Sequence, residues 1–132
     1  MKLAAGNISS NSMMLGWLTA PTELARQKGN VRTAFPIVYN GVEYADVETA
    51  YQKNKPATLV ERTALMTHLL VIRFIRYPAT AEAIKDSGGV PWLNDSEHRV
   101  TGNQRWEGAG RESRYIRCLI AAYRCFMEEQ EE

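Results

Sequence analysis

A long helical repeat, punctuated at both ends, constrains this chain more than any other feature. Thr58 and Glu61 stand at the three-residue offset of a capping box. Beyond them Leu65, Leu69, Ile72 and Ile75 recur at steps of three and four, and Pro78 closes the run. The pattern predicts a helix from Leu59 to about Arg76. A second amphipathic run, from about Glu112 to Glu128, carries Tyr115, Ile116, Leu119, Tyr123 and Phe126 on one face. The acidic end, Glu128 to Glu132, is expected to fray.

Shorter signals fill the rest. Phe35–Tyr39 and Val42–Tyr44 are strand-like runs joined by Asn40-Gly41, a hairpin signal because both turn positions need positive φ. Pro36 holds the first strand to a sheet edge or to its own start. Thr22 to Lys28 reads as a short helix ended by Gly29, and Asp46 caps another that reaches Lys53 before Pro56. A further helix spans Thr80 to Asp86 and stops at Gly88-Gly89. Residues 1–20 are irregular, or a short strand around Met13 to Leu18. The stretch from Val90 to Gly110 lacks periodicity, which in a compact domain marks a functional loop or short strands. The expected fold is α+β, a single mostly helical domain with a small antiparallel sheet or hairpin.

Composition narrows the function classes. The 132 residues are 45% hydrophobic and 23% charged, with a formal net charge of +1. Such a chain suits one domain and excludes a disordered tail, a collagen-like repeat or a cysteine-stapled module. A general nucleic-acid binder carries a larger basic excess. Cys118 and Cys125 fall in one predicted helix, about 10 Å apart along its axis, too far for a disulfide. Both are expected to be packed thiols. No Cys/His cluster suggests a metal and no cofactor is called for. No apolar run approaches a membrane span, and the start breaks into Asn and Ser before a leader could form. The expectation is a soluble cytoplasmic protein.

Three clusters carry chemistry. In Val47–Lys55, the residues Glu48, Tyr51, Gln52 and Lys55 share one side of a helix. Glu48 serves either as a first-turn acid favoured by the helix dipole or as a catalytic carboxylate, with Lys55 as an anion ligand. In Arg105–Arg114, Gly108 and Gly110 form either a glycine-rich turn or a backbone cradle for a ligand. There Trp106 is placed to stack on a base or anchor in the core, and Arg111 and Arg114 to fork onto phosphate. This segment is neither a Walker motif nor a full dinucleotide fingerprint. In Trp92–His98, Asp95 and His98 are either solvated or an acid–base pair. His68, inside the long helix, reads as structural.

These residues together resemble the NADAR superfamily of YbiA-like proteins. Val47-Glu48 followed by Gln52 and Lys55 is similar to that family's V-E-h-x-x-Q-x-x-K helix. Arg73 with Pro78, then Ser87-Gly88-Gly89, then Trp106 to Gly110 follow in the family's order, across roughly residues 10–126. Leu18–Pro21 stands where the family often has an S-N-F-type run, which marks a divergent subgroup. Two departures stand out. Glu107 is inserted between Trp106 and Gly108, and Asn103 replaces an Asp that many members carry three residues before the Trp. The duty of that Asp would pass to Glu107, Asp95 or Glu112, or activity is lost.

The resemblance implies an N-glycosidase acting on the ribose–base or ribose–amine bond of a phosphoribosyl or ADP-ribosyl nucleotide. Removal of ADP-ribose from guanine is one such reaction, with ADP-ribosylated nucleic acid as one carrier. Glu48 would act as general base or transition-state stabiliser, with Glu107 or Asp95 as second carboxylate. Lys55, Trp106, Gly108, Gly110, Arg111, Arg114 and His98 would bind substrate. The alternatives are a non-catalytic module for ADP-ribose, NAD or a modified nucleotide, and a protein-interaction domain with a relic pocket.

Overall fold

The long helix forms where its punctuation puts it. The computed structural model describes residues 2–100 and 106–130. In element order, α1 is Thr22–Gln27, β1 Ile37–Tyr39, β2 Val42–Tyr44, α2 Val47–Asn54 and α3 Leu59–Arg76. Then come α4 Pro78–Ser87, α5 Val90–Asn94, β3 Glu97–His98, β4 Gly108–Ala109 and α6 Arg114–Gln130. At the start of α3 the Thr58 hydroxyl accepts from the Glu61 N–H at 3.2 Å. The Glu61 carboxylate returns to that same hydroxyl at 2.7 Å, not to the Thr58 N–H as in the full capping box. Pro78 does more than close α3. It occupies the first position of α4, where its missing N–H costs nothing.

The two long helices pack against each other and form the centre of the core. Leu69, Leu70 and Phe74 of α3 meet Ile116, Leu119, Tyr123 and Phe126 of α6, all buried. The Phe74 ring lies 6.0 Å from Phe126 and 6.4 Å from Tyr123. The buried stripe of α3 is Met66, Leu69, Leu70, Arg73 and Phe74, rotated from the expected one. Leu65 and Ile72 sit at its margin, and Ile75 is 57% exposed. The displacement follows from Arg73, a charged residue that the apolar pattern skipped and the core includes.

Two small antiparallel sheets complete the α+β fold. In the hairpin Ile37 pairs with Tyr44, and Asn40 (φ 50°) and Gly41 (φ 79°) make the positive-φ turn. The second sheet, β3 with β4, lies inside the stretch without periodicity, together with α5. Asn7 bridges to Glu97, so the N-terminal segment adds a partial third strand. No strand forms around Met13 to Leu18. A 3₁₀ turn, Gly16–Leu18, occupies that region instead. The last helix begins at Arg114 because Ser113 caps it, its hydroxyl accepting from the Ile116 N–H at 3.1 Å. It stays helical through Gln130. Cys118 is buried as expected, but Cys125 is exposed on the outer face of α6, and neither is paired. No helix among the described residues is long and apolar enough to cross a membrane.

Gly110 is required by packing. Its φ is +52°, and a Cβ there would stand 2.4 Å from the Asn94 carbonyl oxygen and 2.9 Å from its side-chain oxygen. Backbone cannot yield as a flexible side chain can. Gly110→Ala is expected to destabilise the fold by ~3 kcal/mol, the overpacking and left-handed costs acting together. Denaturant unfolding checks this, and a loss below about 1 kcal/mol would show that the 94–110 contact relaxes freely.

Candidate active site

One carboxylate enters the site through a helix start that two elements share. Asp46 is buried, and its Oδ1 accepts from the Thr49 N–H at 2.8 Å to cap α2. Its Oδ2 accepts from the Glu23 N–H at 3.0 Å in α1. The Glu48 N–H donates to the Ala20 carbonyl at 3.2 Å, which ties α2 to the segment before α1. Glu48 is thereby held in the first turn, half-buried, its Oε1 accepting from Gln52 Nε2 at 2.8 Å. Asp46→Ala is expected to cost about 2 kcal/mol, since it strips a partner from two backbone donors. Asp46→Asn should recover part of that loss. Equal stability of Asp46→Ala and wild type in urea would refute the shared cap.

A second carboxylate arrives from the far end of the chain. Trp106 precedes β4, and its carbonyl accepts from the Ser113 hydroxyl at 2.6 Å and from the Tyr115 N–H at 3.2 Å. Its indole meets the Tyr51 ring edge-on at 5.7 Å. Glu107 follows, half-buried, with Oε1 accepting from the Val100 N–H.

Glu48, Tyr51 and Gln52 of α2, Trp106, Glu107 and His98 all line one cavity of about 320 Å³. Ser10, the Thr19–Pro21 segment, Leu24 of α1, Met66 of α3, Val100 and Tyr115 of α6 complete its walls. Arg73 is completely buried and fixes the Thr19 wall. Its Nη1 donates to the Thr19 carbonyl at 2.5 Å and its Nη2 to the Leu18 carbonyl at 2.9 Å. The Tyr115 hydroxyl donates to the same Leu18 carbonyl at 2.6 Å. Burial pushes the Tyr115 hydroxyl up to about 12, so it stays protonated and holds that bond. Burial also raises Tyr51, opposed by the charge of Arg62 and reinforced by that of Glu48. The Cys118 thiol is raised by burial as well, against a hydrogen bond with Thr67.

Of the ten residues expected to act on or bind substrate, four converge: Glu48, His98, Trp106 and Glu107, with Tyr51 and Gln52 of the same predicted helix face beside Glu48. The others stand elsewhere. Asp95 is exposed at the C-terminal end of α5, and Lys55 is exposed just past α2. Arg111 is exposed in the 3₁₀ turn before α6, and Arg114 Nη1 reaches Thr63 of α3 at 3.3 Å. Gly108 and Gly110 serve chain packing, Gly108 with φ +150° and only 3.0 Å between a Cβ and the Glu112–Ser113 backbone. Asn103 lies outside the described residues. His68 is exposed on α3, its ring 5.8 Å from Tyr39.

No sequence pattern marks Ser10 or Met66 as wall residues, Thr19 stands out only as part of the Leu18–Pro21 run, and Tyr115 is marked only as core. Among the described residues no cavity wall carries Lys or Arg, and no group of three His, Cys, Asp or Glu stands where it could hold a metal ion. Chemically the arrangement offers two carboxylates, one imidazole and an aromatic wall in a partly desolvated pocket. Compared with protein-family models, with curated proteins and with solved structures, the chain finds no match.

Proposed function

We propose that this cavity is the active site of an N-glycosidase that cleaves the ribose–base or ribose–amine bond of a phosphoribosyl or ADP-ribosyl nucleotide. The observation that carries the reading is the meeting of Glu48 and Glu107, 59 positions apart in sequence, in one cavity with an aromatic wall. Breaking a C1′–N bond builds positive charge on the ribose. Fixed carboxylates stabilise that charge and activate a water, as in glycoside hydrolysis. Glu48 acts as the base toward that water, Glu107 faces the developing cation, and Trp106 covers the base. The volume suits a nucleoside portion. With no Lys or Arg on the described walls, the phosphates lie at the rim. The cation offered to them is Lys28, exposed, whose Nζ donates to Oγ of the wall residue Ser10 at 3.0 Å and to Asn11 Oδ1 at 2.8 Å.

A mass-spectrometric hydrolysis screen tests the proposal. NAD, ADP-ribose, a phosphoribosyl-aminopyrimidine and ADP-ribosyl-guanosine are offered to wild type and Glu48→Gln in parallel. Release of free base or amine by wild type alone supports the reading. Thermal stabilisation by one of these compounds without turnover replaces it with a binding module.

A further inference from the structure

We propose that His98 is the general acid of this cavity, which restricts the substrate to ribosyl compounds whose base must gain a proton as it leaves. The inference rests on the N-glycosidase reading and deepens it. His98 Nδ1 lies 2.7 Å from the Ile8 carbonyl oxygen. A carbonyl only accepts, so Nδ1 carries a hydrogen and Nε2 is the nitrogen that gains and loses a proton. The anchor is rigid. Ile8 is completely buried, and its N–H donates to the Glu97 carbonyl at 2.8 Å, on the same short strand as His98. The Tyr115 ring supports the imidazole at 4.8 Å. Nε2 itself makes no hydrogen bond among the described residues, and His98 lines the cavity with Glu48 and Glu107.

Two phenols also line the cavity. The Tyr115 hydroxyl is committed to the Leu18 carbonyl, and burial makes the Tyr51 phenol a weaker acid than usual. Imidazole is the side chain suited to giving a proton near neutral pH. In the step that follows, the C1′–N bond breaks and its electron pair passes to the base nitrogen. The base takes the proton from His98 Nε2. A water oxygen bonds to C1′ while Glu48 removes one of its protons. The products are the free base and a ribosyl hydroxyl, and solvent carries the proton from Glu48 back to His98. A pyridinium such as nicotinamide in NAD departs as a neutral molecule without any proton. A purine, pyrimidine or amine joined through a neutral nitrogen does not, so His98 matters for this second class.

The test compares wild type, His98→Asn and His98→Gln, each as the full chain, on ADP-ribosyl-guanosine, a phosphoribosyl-aminopyrimidine, NAD and a nitrophenyl ribofuranoside phosphate. The nitrophenolate leaves without a proton. Asn and Gln both carry an amide N–H able to bond the Ile8 carbonyl, which guards against loss of the fold. The expected result is a kcat loss of about 10²–10⁴-fold on a neutral-linked substrate, with turnover of the nitrophenyl compound retained. Equal losses on both kinds of substrate, or none, overturn the role of His98 and leave the N-glycosidase reading standing. Wild-type turnover of NAD with none of the neutral-linked compounds overturns the substrate restriction. No turnover of any probe by wild type removes the N-glycosidase reading, and this inference falls with it.

Discussion

Glu48→Gln is expected to lower turnover of a ribosyl substrate by about 10²–10⁴-fold while unfolding stays within about 1 kcal/mol of wild type. The two effects separate because the side chain's structural duties survive the change. Gln52 Nε2 donates to an Oε1 that glutamine keeps, and the tie to Ala20 uses backbone N–H. What disappears is the negative charge and the ability to take a proton from water. A first-turn carboxylate gains only a few tenths to about 1 kcal/mol from the helix dipole, which bounds the stability cost. Steady-state kinetics with parallel denaturant unfolding measure both. Undiminished turnover in a folded Glu48→Gln protein removes Glu48 from the chemistry.

Arg73→Ala is expected to cost about 3–5 kcal/mol, a large share of the stability of a domain this size. Arg73 is completely buried and, among the described residues, has no carboxylate within ion-pair distance. Its charge is satisfied by the carbonyls of Leu18 and Thr19, while its Nε is left without a partner. Truncation opens a large void and orphans the Thr19 carbonyl, whereas the Leu18 carbonyl keeps the Tyr115 hydroxyl. Arg73→Met refills much of the volume and removes the desolvated charge, so it should cost markedly less. Chemical denaturation of both variants checks the order. If Arg73→Ala unfolds like wild type, the guanidinium is no fastener of the cavity wall.

Local punctuation made part of this fold readable. Asn40-Gly41, Asp46 and Thr58 each impose backbone chemistry on their nearest neighbours, and the hairpin, α2 and α3 start where those residues demand. The segment before Thr22 has no such instruction. Its form comes from Arg73, Tyr115 and Glu97, which are 54 to 97 positions away along the chain in the bonds that hold it. The strands β3 and β4 are two residues each, too short for any alternation to show. Arg73 was missed as core because a charged residue breaks an apolar pattern, although it lies three and four positions from Leu70 and Leu69.

The site divides in the same way. Glu48, Trp106, Glu107 and His98 stood out as residue types suited to chemistry, and they meet in the cavity. Lys55, Arg111 and Arg114 stood out for charge alone. Spacing on a helix fixes which side chains share a face, but not which face meets the cavity, and all three lie outside its walls.

The partial third strand from Asn7 has a consequence for the order of events during synthesis. Gly6 and Ile8 leave the ribosome about 90 residues before Glu97 and His98, with which they hydrogen-bond on either side of the Asn7–Glu97 bridge. At ordinary elongation rates that gap is roughly 5–20 s. Through that interval the early segment has no strand to join, and closing so long a loop has an entropic cost that local helices avoid. Helices α1 to α5 can therefore form as they emerge, whereas the histidine's backbone anchor waits for β3, with β4 and α6 still to come. The turnover proposed for this cavity needs that long-range contact, so it should appear after helical structure in a refolding time course, not with it.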